Sequence, residues 1–121
     1  MTTKKTLVLG ASSKPEQYSN MAVRNLLAAG HPVVAIGREP FLIETVQVQS
    51  ATEPFTDIHT VTLYLNASRQ ADYEDYILSL HPKRIIFNPG AENPSLSEKA
   101  QQNGIEAIEA CTLVMLSVGT Y

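Results

Sequence analysis

Residues 7–20 of this chain read LVLGASSKPEQYSN. An apolar strand runs into Gly10, a polar turn follows, and a helix is predicted to begin near Ser19 and Asn20. Parallel α/β proteins build phosphate sites at such turns, because the first amides of a helix have no intrahelical acceptor. Glycine lets the backbone turn sharply and lets an anion come close. The residues expected to hold a phosphate group are Gly10, Ala11, Ser12 and Ser13.

The turn carries neither of the two glycine-rich phosphate-binding fingerprints. Ser12 stands where the second glycine of G-x-G-x-x-G would stand, and the G-x-x-x-x-G-K-[ST] loop is absent. Local chemistry therefore leaves two interpretations open. One is a phosphate site, and the other is an ordinary strand–helix turn whose helix is capped by serine or asparagine.

Length and composition limit the class of protein. The chain has 121 residues, of which 44% are hydrophobic, so we expect one domain over residues 1–121 with a substantial core. The net charge of −3 disfavours nucleic acid as a partner. The single cysteine, Cys111, forms no internal disulfide and favours a reducing, cytoplasmic location. No apolar run approaches the ~20 residues of a membrane span, so no membrane partner is expected.

Apolar and polar blocks predict strands and helices in alternation. Strands are predicted at residues 6–9, 33–36, 60–65, 84–87 and 105–108, with a further short strand at 45–48. Helices are predicted at 21–29, 70–80 and 95–102, the last with a capping box of Ser95 and Glu98. Residues 111–118 are expected to form a closing helix on the sheet edge or on a partner subunit. The order predicts an α/β fold, a three-layer Rossmann-like open parallel sheet of about five strands with helices on both faces.

Ligands of open parallel sheets bind at the carboxyl ends of the strands, near the reversal in strand order. In this chain those ends carry the segments 10–13, 37–38, 65–66 and 88–90, and three of the four contain glycine. This pattern favours a nucleotide-like ligand. The expected contacts outside the first turn include Gly37, Arg38 and Asn66.

Arg38 follows the second predicted strand. In dinucleotide sites an arginine near this position accepts a phosphate on the ribose, because a guanidinium matches a phosphate in bidentate geometry. CoA carries a ribose 3′-phosphate and NADP a 2′-phosphate, so Arg38 fits either of these better than NAD. The alternative is a solvated loop arginine paired with Glu39.

Several of these segments resemble the small stand-alone CoA-binding proteins, which are related to the CoA-binding Rossmann domain of succinyl-CoA synthetase. The most specific segment is LGAS at 9–12, with Lys14-Pro15 and Tyr18-Ser19-Asn20 after it. Supporting segments are GHPVVAIG at 30–37, IFNPGA at 86–91, and Gly104 with Ala110-Cys111. The resemblance covers nearly the whole chain.

The resemblance implies roles for individual positions. The segment 10–13 would hold the pyrophosphate of CoA, and Lys14 would lie near a phosphate. Tyr18, Ser19 and Asn20 would start the first helix beside it. The residues that would border the pantetheine side are Asn88, Pro89 and Gly90.

The chain also departs from the family pattern at positions near the implied ligand. Gln17 stands where the family has arginine, and Gly37-Arg38 where it has Asn-Pro. Phe87-Asn88 replaces tryptophan and glutamine, and Ala110 replaces aspartate. Polar groups expected near the ligand are therefore missing.

No set of nucleophile, base and orienting residue is evident in the sequence. Ser12 and Ser13 have no histidine partner in view, Cys111 is interpreted as a small buried apolar residue, and the three histidines are not spaced as metal ligands. We expect a protein that binds CoA or acyl-CoA without catalysis of its own. One alternative is an NADP-binding oxidoreductase or sensor, with Tyr18 or Cys111 as proton donor. The other is a regulatory partner protein with a decayed nucleotide pocket. A homodimer or another protein partner is also considered.

Overall fold

The computed structural model describes residues 2–121. Strands and helices alternate along most of the chain, as the sequence predicts. The elements are β1 (Thr6–Ala11), α1 (Tyr18–Ala28), β2 (Val33–Gly37), β3 (Phe41–Ile43), β4 (Val46–Gln49), β5 (Thr60–Leu63), α2 (Ala67–Gln70), a 3-10 turn (Ala71–Tyr73), α3 (Glu74–Ser79), β6 (Arg84–Phe87), α4 (Pro94–Gln102), β7 (Glu106–Glu109) and α5 (Thr112–Val118).

The strands form one sheet in the order β3-β4-β2-β1-β5-β6-β7. All neighbours pair in parallel except β3 and β4, which are antiparallel. The α/β Rossmann-like class is confirmed, but the sheet has seven strands where about five were predicted. The difference lies in the β3–β4 hairpin, where one short strand was predicted. Its turn is made by Glu44 at φ 51°, and a glutamate gives no sequence signal for such a turn.

Helices cover both faces of the sheet, and the side chains of β1 alternate between the two cores. Leu7 and Leu9 face the side that packs against α3 and α4. Val8 faces the other side, where Val23 and Leu26 of α1 pack. Strands that are apolar on both faces are expected where a parallel sheet is covered on both sides.

Helix boundaries differ in detail from the predicted ones. The first helix begins at Tyr18, slightly before the predicted start, and ends in a turn with Gly30 at φ 87°. The predicted 70–80 helix is divided into α2, the 3-10 turn and α3. The capping box of Ser95 and Glu98 was wrong: Asn93 caps α4 through Leu96 N, and Pro94 occupies the first turn.

The predicted closing helix is present as α5, and buried polar groups anchor its start. Asn88 donates through Nδ2 to Thr62 Oγ1 at 2.7 Å and to the Leu63 carbonyl at 2.8 Å. Its Oδ1 accepts from the Thr112 amide at 2.9 Å, and the hydroxyls of Thr62 and Thr112 bond each other at 2.7 Å. Cys111, expected to be buried, is half-buried just before the helix. Within residues 2–121 there is no helix with the length and apolarity needed to cross a bilayer.

Candidate functional site

A cavity of about 410 Å³ opens at the carboxyl ends of β1, β2 and β5. This is where the strand order reverses, since β1 lies between β2 and β5. The predicted site residues that line the cavity are Gly10, Ala11, Ser12, Ser13, Lys14, Gly37 and Arg38.

The two glycines of this group let the chain pass close to its neighbours. Gly10 has φ +99°, and a Cβ there would lie 3.0 Å from a methyl group of Leu65. At Gly37 a Cβ would lie 2.6 Å from the Ala11 carbonyl oxygen, which is closer than any real contact. Both positions therefore require glycine, one for conformation and space and the other for space alone.

The loop after β1 is held in place by the first turn of α1. The Ser12 amide donates to Ser19 Oγ at 3.0 Å, and Asn20 Nδ2 donates to the Ser12 carbonyl at 2.9 Å. Ser12 Oγ in turn accepts from the Lys14 amide at 3.1 Å. Ser19 and Asn20 are buried. They shape the loop from behind and do not line the cavity.

The start of α1 has no protein cap. Gln17 is the capping residue, but its side chain makes no hydrogen bond, and the first turn contains no acidic residue. The first intrahelical bond runs from the Met21 amide to the Gln17 carbonyl. The Gln17 amide donates to the Lys14 carbonyl at 3.0 Å, so the amides of residues 18–20 are those left for solvent or an anion, and the helix dipole favours negative charge there.

Several residues that line the cavity were not predicted. Arg69 and Tyr73 lie in the segment after β5, where only Asn66 was predicted. Asn66 instead caps α2, accepting from the Arg69 amide at 3.0 Å, and it does not line the cavity. The other unpredicted lining residues are Leu9, Gln17, Ile36, Glu39, Phe41, Tyr64 and Leu65. The sequence signal that could have indicated most of these residues is their position at, or shortly after, the carboxyl end of a strand.

The remaining predicted residues lie outside the cavity. Asn88 is buried and bonds only to the scaffold, as described above. Pro89 and Gly90 are exposed beyond it. Tyr18 is 68% exposed at the start of α1.

The charges around the cavity are mainly positive. Lys14, Arg38 and Arg69 line it with one carboxylate, Glu39. Within residues 2–121 the ion pair present joins Lys99 to Glu74, so the cavity cations have no carboxylate partner within pairing distance. Tyr64 closes part of the wall, and burial raises the pKa of its hydroxyl. The phenol therefore adds no negative charge at physiological pH. Because three cations and one carboxylate line the cavity, it favours an anionic ligand.

A protein family described as CoA binding domain matches residues 4–117. The chain belongs to this family. The match spans the loop after β1, the cavity walls and the anchor of α5.

Several solved structures share the fold of this chain. The crystal structure of an uncharacterized protein is 42% identical, covers 100% of both chains and has a TM-score of 0.96. A Thermus thermophilus protein, cell-free ID.343, is 19% identical over 98% of this chain and 91% of its own, with a TM-score of 0.82. Comparison with curated proteins gives no match.

A larger enzyme contains the same fold. The dinucleotide-forming acetyl-coenzyme A synthetase 1 of Ca. Korarchaeum cryptofilum, in complex with phosphate and ADP, is 18% identical with a TM-score of 0.69. The alignment covers 88% of this chain and 25% of the synthetase chain. The fold of this chain therefore corresponds to about a quarter of that synthetase chain.

Proposed function

We propose that this protein binds CoA or acyl-CoA in the cavity at the carboxyl ends of β1, β2 and β5. The observation that carries the proposal is the turn after Gly10, where an uncapped helix start and Lys14 stand beside a cavity lined by Arg38. Membership in the CoA binding domain family supports the same ligand.

The pyrophosphate is assigned to the loop 10–14. Backbone amides, the hydroxyl of Ser13 and the ammonium of Lys14 are the groups there that donate to phosphate oxygens. Arg38 is assigned to the ribose phosphate, since it lines the cavity at the end of β2. The acyl group of the ligand is not assigned.

The protein is proposed to bind its ligand without catalysis, as one domain in the cytoplasm. Around the cavity the titratable groups are Lys14, Arg38, Glu39, Arg69 and two tyrosines, without a histidine or a cysteine. A serine–histidine or cysteine–histidine pair is therefore not among its lining residues. Substrate chemistry would be supplied by another protein.

An NADP-binding role is the second candidate, because a ribose phosphate at Arg38 suits NADP as well as CoA. Thermal unfolding with CoA, acetyl-CoA, NADP and NAD separates the two. A ligand at about a hundred times its Kd adds roughly 2.7 kcal/mol, a rise in Tm on the order of 10 °C. A rise with CoA or acetyl-CoA alone supports the proposal. A rise with NADP alone overturns it, and no rise with any of the four favours a decayed pocket.

A further inference from the structure

A second cavity, of about 480 Å³, lies at the amino ends of the strands, opposite the first cavity. It lies where β1, β5 and β6 begin, so the sheet separates it from the CoA-binding cavity at the strand ends. Its polar lining is made by Lys5, Asp57, His59, His81 and Lys83. Ile58 and Leu80 add an apolar wall. The volume is within the range of small-molecule sites.

Positive charge is concentrated at this second cavity, although the whole chain carries a net charge of −3. Lys5 and Lys83 line the cavity. Burial lowers the pKa of His59, and the nearby charges of Arg84 and Lys4 lower it further. The ion pair found in residues 2–121, Lys99 with Glu74, is elsewhere. One carboxylate, Asp57, also lines the cavity but pairs with none of these cations, so net positive charge remains there and the cations repel one another.

Arg84 adds a buried charge to this cluster. It is 7% exposed, its Nε donates to Thr60 Oγ1 at 3.0 Å, and its Nη2 has no hydrogen-bond partner in residues 2–121. The ring of Tyr121 covers the guanidinium at 4.5 Å. A cation held by a hydroxyl and an aromatic ring keeps most of its field, and that field extends to His59.

Two residues of the cavity wall hold unusual backbone conformations. Asp57 has φ 59° and His81 has φ 50°, in the left-handed region that favours glycine. His81 follows the end of α3, where glycine is the usual residue, and its amide donates to the Leu78 carbonyl. The conformation costs free energy, and its effect is to place an imidazole at the mouth of a cationic cavity.

We propose that the cavity at the amino ends of the strands binds a small anion that carries phosphate groups. The donors are the ammonium groups of Lys5 and Lys83 and ring N–H groups of His59 and His81. Lys5 already donates to the Thr56 carbonyl at 2.9 Å and keeps further N–H groups. His59 uses Nε2, because its Nδ1 bonds Thr60 Oγ1 at 2.7 Å. An anion there relieves the repulsion among the surrounding cations. This site is separate from the proposed CoA cavity and does not depend on it.

The test uses the full chain, labelled with ¹⁵N and titrated with sodium pyrophosphate or inorganic phosphate at constant ionic strength. We expect saturable shifts of the amides of His59, His81 and Lys83, and none with matched sodium chloride. Lys83→Gln should weaken this binding roughly tenfold, the effect of losing one charged donor. Lys14→Gln, in the other cavity, should leave it unchanged. Shifts that follow chloride equally, or that move only the 10–14 amides, overturn the proposal.

His81→Gly provides a second, independent variant. Glycine suits the left-handed conformation, so the variant is expected to unfold at a higher temperature than the parent chain. The same change removes an N–H donor, so the affinity for pyrophosphate read from the shifts of the His59 and Lys83 amides should fall several-fold. A variant that is more stable and binds pyrophosphate as tightly as the parent would overturn the assignment of His81. Because the variant is expected to be more stable and yet to bind more weakly, misfolding cannot be the cause of the weaker binding.

Discussion

Single atoms decide how closely β1 and β2 approach at the cavity where CoA is proposed to bind. Gly37 has no side chain where a Cβ would stand 2.6 Å from the Ala11 carbonyl oxygen and 3.1 Å from Val48 Cγ1. Ala11 is paired with Gly37 in the sheet, so its carbonyl has little freedom to move away from that position. The width of the cavity therefore depends on a missing methyl group.

Gly37→Ala is expected to destabilise the protein by about 1–3 kcal/mol, because the added carbon forces the two strands apart. It should also reduce the thermal stabilisation by CoA. Gly104→Ala is the control, since Gly104 has φ +74° with open space around it and lies in neither cavity. The control should lose stability through backbone strain alone and keep the stabilisation by CoA. Equal CoA stabilisation in both variants would show that the strand spacing does not shape the site.

Arg38→Ala tests the ribose-phosphate assignment at the same scale. The loss of a charged, bidentate donor should weaken CoA and NADP binding by roughly ten- to a hundredfold, measured by isothermal titration calorimetry. Dephospho-CoA and NAD lack that phosphate, so their affinities should not change. Lys83→Ala removes an equal charge at the far edge and serves as the control. The same loss for all four ligands would contradict the role of Arg38.

Helix α5 is held by polar contacts at a place where the sequence suggests only apolar packing. Asn88 satisfies three groups at once, and its side chain is buried, so it belongs to the scaffold of this helix. Resemblance placed Asn88 beside the pantetheine of CoA, and that role stays a prediction. The contacts nonetheless give the residue a structural reason to be present.

Asn88→Ala should cost about 2–4 kcal/mol, because Thr112 N–H and the Leu63 carbonyl lose their buried partner. Urea unfolding measures the loss, and hydrogen exchange should show faster opening of α5. Asn103→Ala is the matched control, since its exposed side chain makes one bond to the Lys99 carbonyl at 2.8 Å. Its cost should stay below about 1 kcal/mol. A stable Asn88→Ala that loses CoA would instead place Asn88 at the ligand.

How much could be predicted from the sequence depended on whether the signal was local. The turn at 10–14 and Arg38 were predicted because a strand followed by glycine or arginine is visible in the residues themselves; they line the cavity, and their role in binding stays a prediction. Arg69 and Tyr73 also line the cavity but were not predicted; they lie in α2 and in the 3-10 turn, where the sequence predicted one helix beginning at residue 70. The β3–β4 hairpin was missed because Glu44 makes its turn.

At the scale of the whole molecule, the histidines are concentrated at one end of the sheet. His59 and His81 line the cavity at the amino ends of the strands, and His31 lies beside Lys4, just before β1. His31 accepts from the Lys4 amide at 3.0 Å, and the pKa values of His31 and His59 are lowered by burial and by nearby Lys4 and Arg84. Glu106 opposes this effect at His59.

The lowered histidine pKa values make stability depend on pH. The unfolded chain takes up these protons near pH 6.5, before the folded chain does, so the stabilisation is complete above that pH and is lost as the pH falls. The Tm should therefore drop between pH 7.5 and pH 5. A double variant, His31→Asn with His59→Asn, should flatten the profile in that window. An unchanged slope would show that other groups govern the acid response.

The sheet ends differently at its two outer strands. Strand β7 exposes Glu106 and Glu109, and β3 is only three residues long and runs against its neighbour. Carboxylates and short strands both discourage the addition of a further strand from another molecule. At neutral pH the two outer strands therefore offer a poor template for the growth of a cross-β fibre.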